Sequence, residues 1–134
     1  MCKLKNLLWL TTLLVSSGVH ANESLLLVGG WNRPALALSR FVQEAGGSNS
    51  QILVVTWATQ EPSASFESLR KDLSPFVSSP SQITEAPRHP LSRSDYRRLR
   101  GIFLRSSAIF FVGGDQVRLM KALNETKDAV KELY

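Results

Sequence analysis

The strongest constraint on this chain is an order of elements that it repeats: apolar run, glycine pair, helical pattern. Residues 24–28, SLLLV, stop at Gly29-Gly30, and residues 108–112, AIFFV, stop at Gly113-Gly114. A short continuous apolar run bounded by glycine suits a strand buried on both faces, which is the habit of parallel sheets. Behind each pair comes a 3.6-residue periodicity. After Arg33-Pro34, the residues Leu38, Phe41, Val42 and Ala45 fall at i, i+3, i+4 and i+7, and Gly46-Gly47 supplies a stop.

The same alternation continues between these two places. Residues 51–57, QILVVTW, are rich in β-branched side chains and predict a second strand. Pro62-Ser63 then opens a helix whose apolar positions are Phe66, Leu69, Leu73 and Phe76. Residues 78–90 read as a loop around one short strand, 82–84. Ser92 with Asp95 three residues later is a variant of the capping box, and the helix it starts runs through Tyr96, Leu99 and Phe103. A last helix is expected over 115–123, with Val117, Leu119 or Met120, and Leu123 facing the core. Asn124-Glu125-Thr126 should break it before another helical stretch begins at Ala129. Strand and helix in alternation predict an α/β fold, a mostly parallel Rossmann-like sheet flanked by helices.

The first 21 residues read differently. Lys3 and Lys5 precede an apolar run over 7–15, and small residues lead to Val19-His20-Ala21. Charged start, short apolar middle and small-x-small end predict a secretory signal peptide over 1–21, cleaved before Asn22. The apolar run is well short of the roughly 20 residues a membrane span needs. The expectation is therefore an exported protein, periplasmic or extracellular, with no membrane association after cleavage. Cleavage would remove two basic residues and no acidic one, taking the formal charge from +5 to +3. So mild a charge gives no argument for nucleic acid. Cys2, the single cysteine, would leave with the signal. Arg93, Arg97, Arg98, Arg100 and Arg105 crowd one helix, but they spread around it, which favours a solvated face over an anion patch.

In a parallel sheet, ligands bind outside the carboxyl ends of the strands. Gly29-Gly30 and Gly113-Gly114 belong to that edge. Glycine there lets backbone amides approach a ligand, and a helix N-terminus behind adds partial positive charge. Gly113-Gly114-Asp115-Gln116 could thus present N–H donors to an oxyanion or carboxylate. On residue types alone, a tight turn with Asp115 as N-cap explains the same residues. Neither pair completes G-x-G-x-x-G or a P-loop, so no nucleotide cofactor is expected. No metal-ligand cluster appears either, and no metal is expected. His89, between Pro87 and Pro90, reads as a solvated loop histidine.

Three stretches carry a resemblance: SLLLVGG, then LSRFVQEAGGSNSQILVVTWAT, then IFLRSSAIFFVGGDQVRLMKAL. In this order and spacing, the chain from about residue 25 to 133 resembles the cyanophycinase and dipeptidase E family of serine exopeptidases. The resemblance implies a sheet related to class I glutamine amidotransferase domains and a peptide as substrate, cyanophycin or an aspartyl dipeptide. It implies that Gly113 or Gly114 contributes to an oxyanion hole and that Gln116 and Asp115, with Gly29 and Gly30, face substrate. It leaves the oligomeric state open, a dimer included. The family's nucleophile lies on a G-x-S-x-G elbow one strand further on, a motif absent from these 134 residues. The resemblance therefore implies that residues 22–134 form the N-terminal part of such a domain, incomplete at its C-terminus and inactive alone. A non-catalytic ligand-binding module and a non-functional remnant are the alternatives. Trp31 and Trp57 depart from the family's small residues, and each either narrows the site or simply packs.

Overall fold

The computed structural model describes Ser24, Leu26 and residues 32–133. The expected signal segment, most of the first expected strand, Gly29 and Gly30 lie outside the described residues. Within them, helix α1 (Ala35–Glu44) is followed by strand β1 (Ile52–Val55) and helix α2 (Pro62–Leu73). Strand β2 (Ile83–Glu85), helix α3 (Arg93–Arg105), strand β3 (Ala108–Phe111) and helix α4 (Gln116–Leu133) complete the order. The three strands form one parallel sheet in the order β2-β1-β3, with Ile52 opposite both Ile83 and Ala108.

β1 is central and every one of its four residues is buried, as its unbroken apolar run requires. Its side chains alternate between two cores. Ile52 and Val54 join Leu38 and Val42 of α1 and Leu69 and Leu73 of α2. Leu53 and Val55 join Ile102 of α3 and Ala122 of α4, with Leu99, Leu119 and Leu123 packed around them. Burying side chains of this size contributes roughly 1.5–3 kcal/mol each. Helices therefore cover both faces, α1 and α2 on one, α3 and α4 on the other. The reversal of strand order accounts for this. A right-handed crossover stepping from β1 to β2 and another stepping back past β1 to β3 must lie on opposite faces.

Local signals act where the sequence places them. Gly46 takes φ 112° just beyond α1 and ends it. Ser92 and Asp95 form the reciprocal capping box of α3; the Ser92 hydroxyl holds the Asp95 carboxyl below its ordinary range. Arg33 reaches from the start of α1 to α2, its Nε 2.9 Å from Asp72 Oδ2 and its Nη2 2.6 Å from Ser68 Oγ.

Two expectations are corrected. α4 does not break at Asn124-Glu125-Thr126 but continues to Leu133. Thr126 donates its hydroxyl proton to the Ala122 carbonyl at 2.8 Å, so this poor helix former bonds back to its own helix. The core face of α4 also runs through Leu119, Ala122 and Leu123, while Val117 and Met120 point to solvent. No described helix is long and apolar enough to cross a membrane.

Candidate functional site

A cleft of about 450 Å³ opens at the carboxyl ends of the strands. Its walls are the segment after β1, the segment after β2 and the inner flank of α4. Because the crossover from β1 steps one way to β2 and the next steps back past β1 to β3, the order of the described strands reverses here, at the kind of switch point where crevices form in open α/β folds.

The GGDQ turn leads into α4, whose Arg118, Lys121, Ala122 and Glu125 line the cleft, but none of the turn's own four residues lines it. Gly114 lies so close to the segment after β1 that a Cβ there would stand 2.3 Å from the Ala58 carbonyl oxygen. The next amide, Asp115 N–H, donates to that oxygen at 2.9 Å. Gly113 has open space around its Cα. Neither glycine amide makes a hydrogen bond to another described residue. Asp115 Oδ1 accepts from the Val117 and Arg118 amides at 2.8 and 3.3 Å, which makes Asp115 the N-cap of α4. Gln116 is exposed on the outer side of α4, away from the cleft lining.

His89 is the residue that the sequence misplaces. It is not a solvated loop histidine: its side chain is 15% exposed and stands edge-on to Trp57, ring centroids 4.6 Å apart. Trp57 is buried and donates its indole N–H to the Pro87 carbonyl at 2.8 Å, so it fixes the very loop that carries His89. Trp57 therefore packs, and it also stands in the wall of the cleft. His89 Nε2 lies 3.1 Å from Thr126 Oγ1. The Thr126 proton is committed to Ala122, so Oγ1 accepts and the neutral ring carries its proton on Nε2. The buried Nδ1 then has a lone pair and no hydrogen-bond partner. Glu125 Oε2 stands 3.4 Å from it, near enough to pair with a charged ring but outside hydrogen-bonding geometry. Burial lowers the His89 pKa below its ordinary value, against the opposing pull of Glu125.

The remaining charge of the cleft is mostly basic. Arg88 is held by Glu85 through two bonds of 3.1 and 2.9 Å, and the pairing keeps its guanidinium protonated above its ordinary range. Thr56 Oγ1 donates to the same Glu85 at 2.9 Å, tying the exit of β1 to the exit of β2. Lys121 is 3.9 Å from Glu125. The Arg118 side chain makes no ion pair or hydrogen bond with another described residue. A cleft with these groups can hold a carboxylate or another small anion. Among the described residues, no three His, Cys, Asp or Glu side chains converge as metal ligands.

Fold and cleft together define an open parallel α/β domain with a basic crevice at its switch point. Comparison with protein-family models, curated proteins and solved structures finds no match to the chain. Sequence reasoning found the GGDQ turn from its pattern but missed the cluster of His89, Glu125 and Thr126. Thr126 lies 37 residues beyond His89, with Glu125 beside it, and the three share no local motif.

Proposed function

We propose that this chain is the N-terminal, substrate-binding part of an exported cyanophycinase-like serine exopeptidase that acts on cyanophycin or aspartyl dipeptides. The reading is carried by one observation: a basic cleft at the carboxyl edge of a parallel sheet, one wall of which is α4, the helix that the GGDQ turn of the resemblance leads into. Arg118 and Lys121 line the cleft and suit a substrate carboxylate, and in this reading the Gly113 amide, which bonds no other described residue, would supply the oxyanion donor. The nucleophile would come from an elbow outside these 134 residues.

The test is to join the chain to the serine-elbow half of a cyanophycinase and assay hydrolysis of cyanophycin and a β-aspartyl-arginine dipeptide. The joined protein should turn over substrate and lose activity to a serine-directed inhibitor, while the chain alone should not turn over. Export belongs to the same reading, and N-terminal sequencing of exported protein should begin at Asn22. A folded but inactive joined protein would sink the enzymatic part. Asp115, whose carboxylate is spent on α4, favours the second reading, a non-catalytic module that binds the anion only. In that case the dipeptide binds to the chain and is not cleaved by the joined protein.

A further inference from the structure

In the wall of the cleft one carboxylate stands between a lysine and a histidine. Glu125 Oε1 is 3.9 Å from the Lys121 ammonium, and Glu125 Oε2 is 3.4 Å from His89 Nδ1. While the His89 ring is neutral with its proton on Nε2, Nδ1 turns a lone pair toward that carboxylate. Two acceptors then face each other, and the buried Nδ1 has no donor. Buried polar atoms left in this state are rare and costly. A second proton on the ring reverses the contact. Nδ1–H then donates to Glu125 Oε2, which has to close by about 0.5 Å to reach the usual N–H···O length. Glu125 is half exposed on the surface of α4, so its side chain has room to make that movement.

Few other charges surround the ring. The segment after β1 and the head of α2 bring Thr59, Gln60 and Pro62 to the cleft, all uncharged, and Trp57 meets the ring edge-on. Arg88, beside His89 in its loop, is held by Glu85. From α4 come Glu125, Lys121 and, one turn earlier, Arg118, whose side chain pairs with no other described residue. We propose that His89 and Glu125 form an acid-operated gate on this cleft: protonation of His89 draws Glu125 from Lys121, and Lys121 with Arg118 then takes a small oxyanion. The gate rests on the anion site of the proposed function and adds its regulation. Burial lowers the His89 pKa below its ordinary value, so the gate is shut at neutral pH and opens in mildly acidic water. In the shut state Glu125 repels an incoming anion and competes with it for Lys121. In the open state its charge is spent on the ring, and the cleft has gained one positive charge.

The experiment titrates the purified full chain with sodium sulfate, which stays a dianion throughout, at pH 7.5 and pH 5.0 and at constant ionic strength. Calorimetry should show sulfate bound roughly fivefold or more tightly at the lower pH. Coupling of this kind is reciprocal, so saturating sulfate should raise the His89 titration midpoint, read from its ring resonances, by about 0.7 pH unit for a fivefold effect. His89→Gln should bind sulfate about equally at the two pH values. Glu125→Gln leaves Lys121 free at either pH, and it should bind at pH 7.5 more tightly than the parent by a similar factor. Circular dichroism at both pH values checks that each variant is folded, and the ring titration of the parent needs no variant. Equal affinity at the two pH values in the parent would overturn the gate, as would a pH dependence that His89→Gln keeps in full. A Glu125→Gln affinity at pH 7.5 no higher than the parent's would do the same. Absence of sulfate binding at both pH values would remove the gate together with the anion site beneath it. No hydrolysis is read here, so an inactive joined protein would sink the enzymatic reading alone.

Discussion

A Cβ built on Gly114 would stand 2.3 Å from the carbonyl oxygen of Ala58, 2.6 Å from its carbon and 3.0 Å from the Thr59 nitrogen. All three are backbone atoms, which no rotamer change can move aside. Two strand exits thus meet through a glycine that nothing larger replaces. Gly114→Ala should lower stability by roughly 1–3 kcal/mol, the usual range for overpacking a tight contact. Gly113→Ala meets nothing within 4 Å and should stay within about 0.5 kcal/mol of the parent. Urea unfolding of the two variants checks this, and equal midpoints would show that the approach to Ala58 is not required.

Asp115 separates helix capping from ligand contact. Its carboxylate bonds two α4 amides, so Asp115→Ala should destabilise by about 1 kcal/mol. Asp115→Asn keeps an acceptor oxygen and should be close to neutral. Gln116→Ala, at an exposed position, should leave stability unchanged. A drop for Gln116→Ala as large as that for Asp115→Ala would contradict the capping assignment.

Trp57 holds the His89 loop through one bond. Trp57→Phe keeps most of the apolar surface but strips the Pro87 carbonyl of its donor. A buried acceptor left unpaired costs roughly 1–3 kcal/mol. The variant should unfold at lower urea, and the His89 ring resonances should shift because its edge-on neighbour has changed. Unchanged His89 resonances would mean that the indole does not position that ring.

His89 ties stability to pH. Its folded pKa is lowered, chiefly by burial, so the unfolded chain takes up the proton first as pH falls. The His89 contribution is therefore complete above about pH 6.5, the ordinary histidine value, and is lost as pH drops below it. Between pH 7.5 and 5.5 the parent's urea midpoint should fall, and His89→Gln should flatten that dependence. A parent midpoint that rises on acidification would mean that Glu125, 3.4 Å away, outweighs burial.

Much of the architecture was legible in the residues themselves, because strand and helix announce themselves by local period and local stops. The apolar run of β1, Pro62 at the head of α2, the Ser92–Asp95 box and Gly46 beyond α1 each act on their immediate neighbours, and each lies where the sequence puts it. Asp115 as a cap was legible for the same reason.

What the sequence could not convey is which distant elements come to share one space. The continuation of α4 through Asn124-Glu125-Thr126 overrides weak local propensity, because its inner face is packed against Leu53 and Val55. Only that continuation carries Glu125 and Thr126 to His89. The order β2-β1-β3 follows from the side of the sheet each crossover takes, and that same choice opens the cleft. Exposure of Phe103 and Phe111 is likewise tertiary. Their residue types favour burial, and only the gap between α3 and α4 leaves them on the lips of a groove. The sequence by itself determined the elements, since those depend on interactions within a few residues. The tertiary structure alone decided the cleft, the His89 cluster and the groove, since each is made by side chains that only packing brings together.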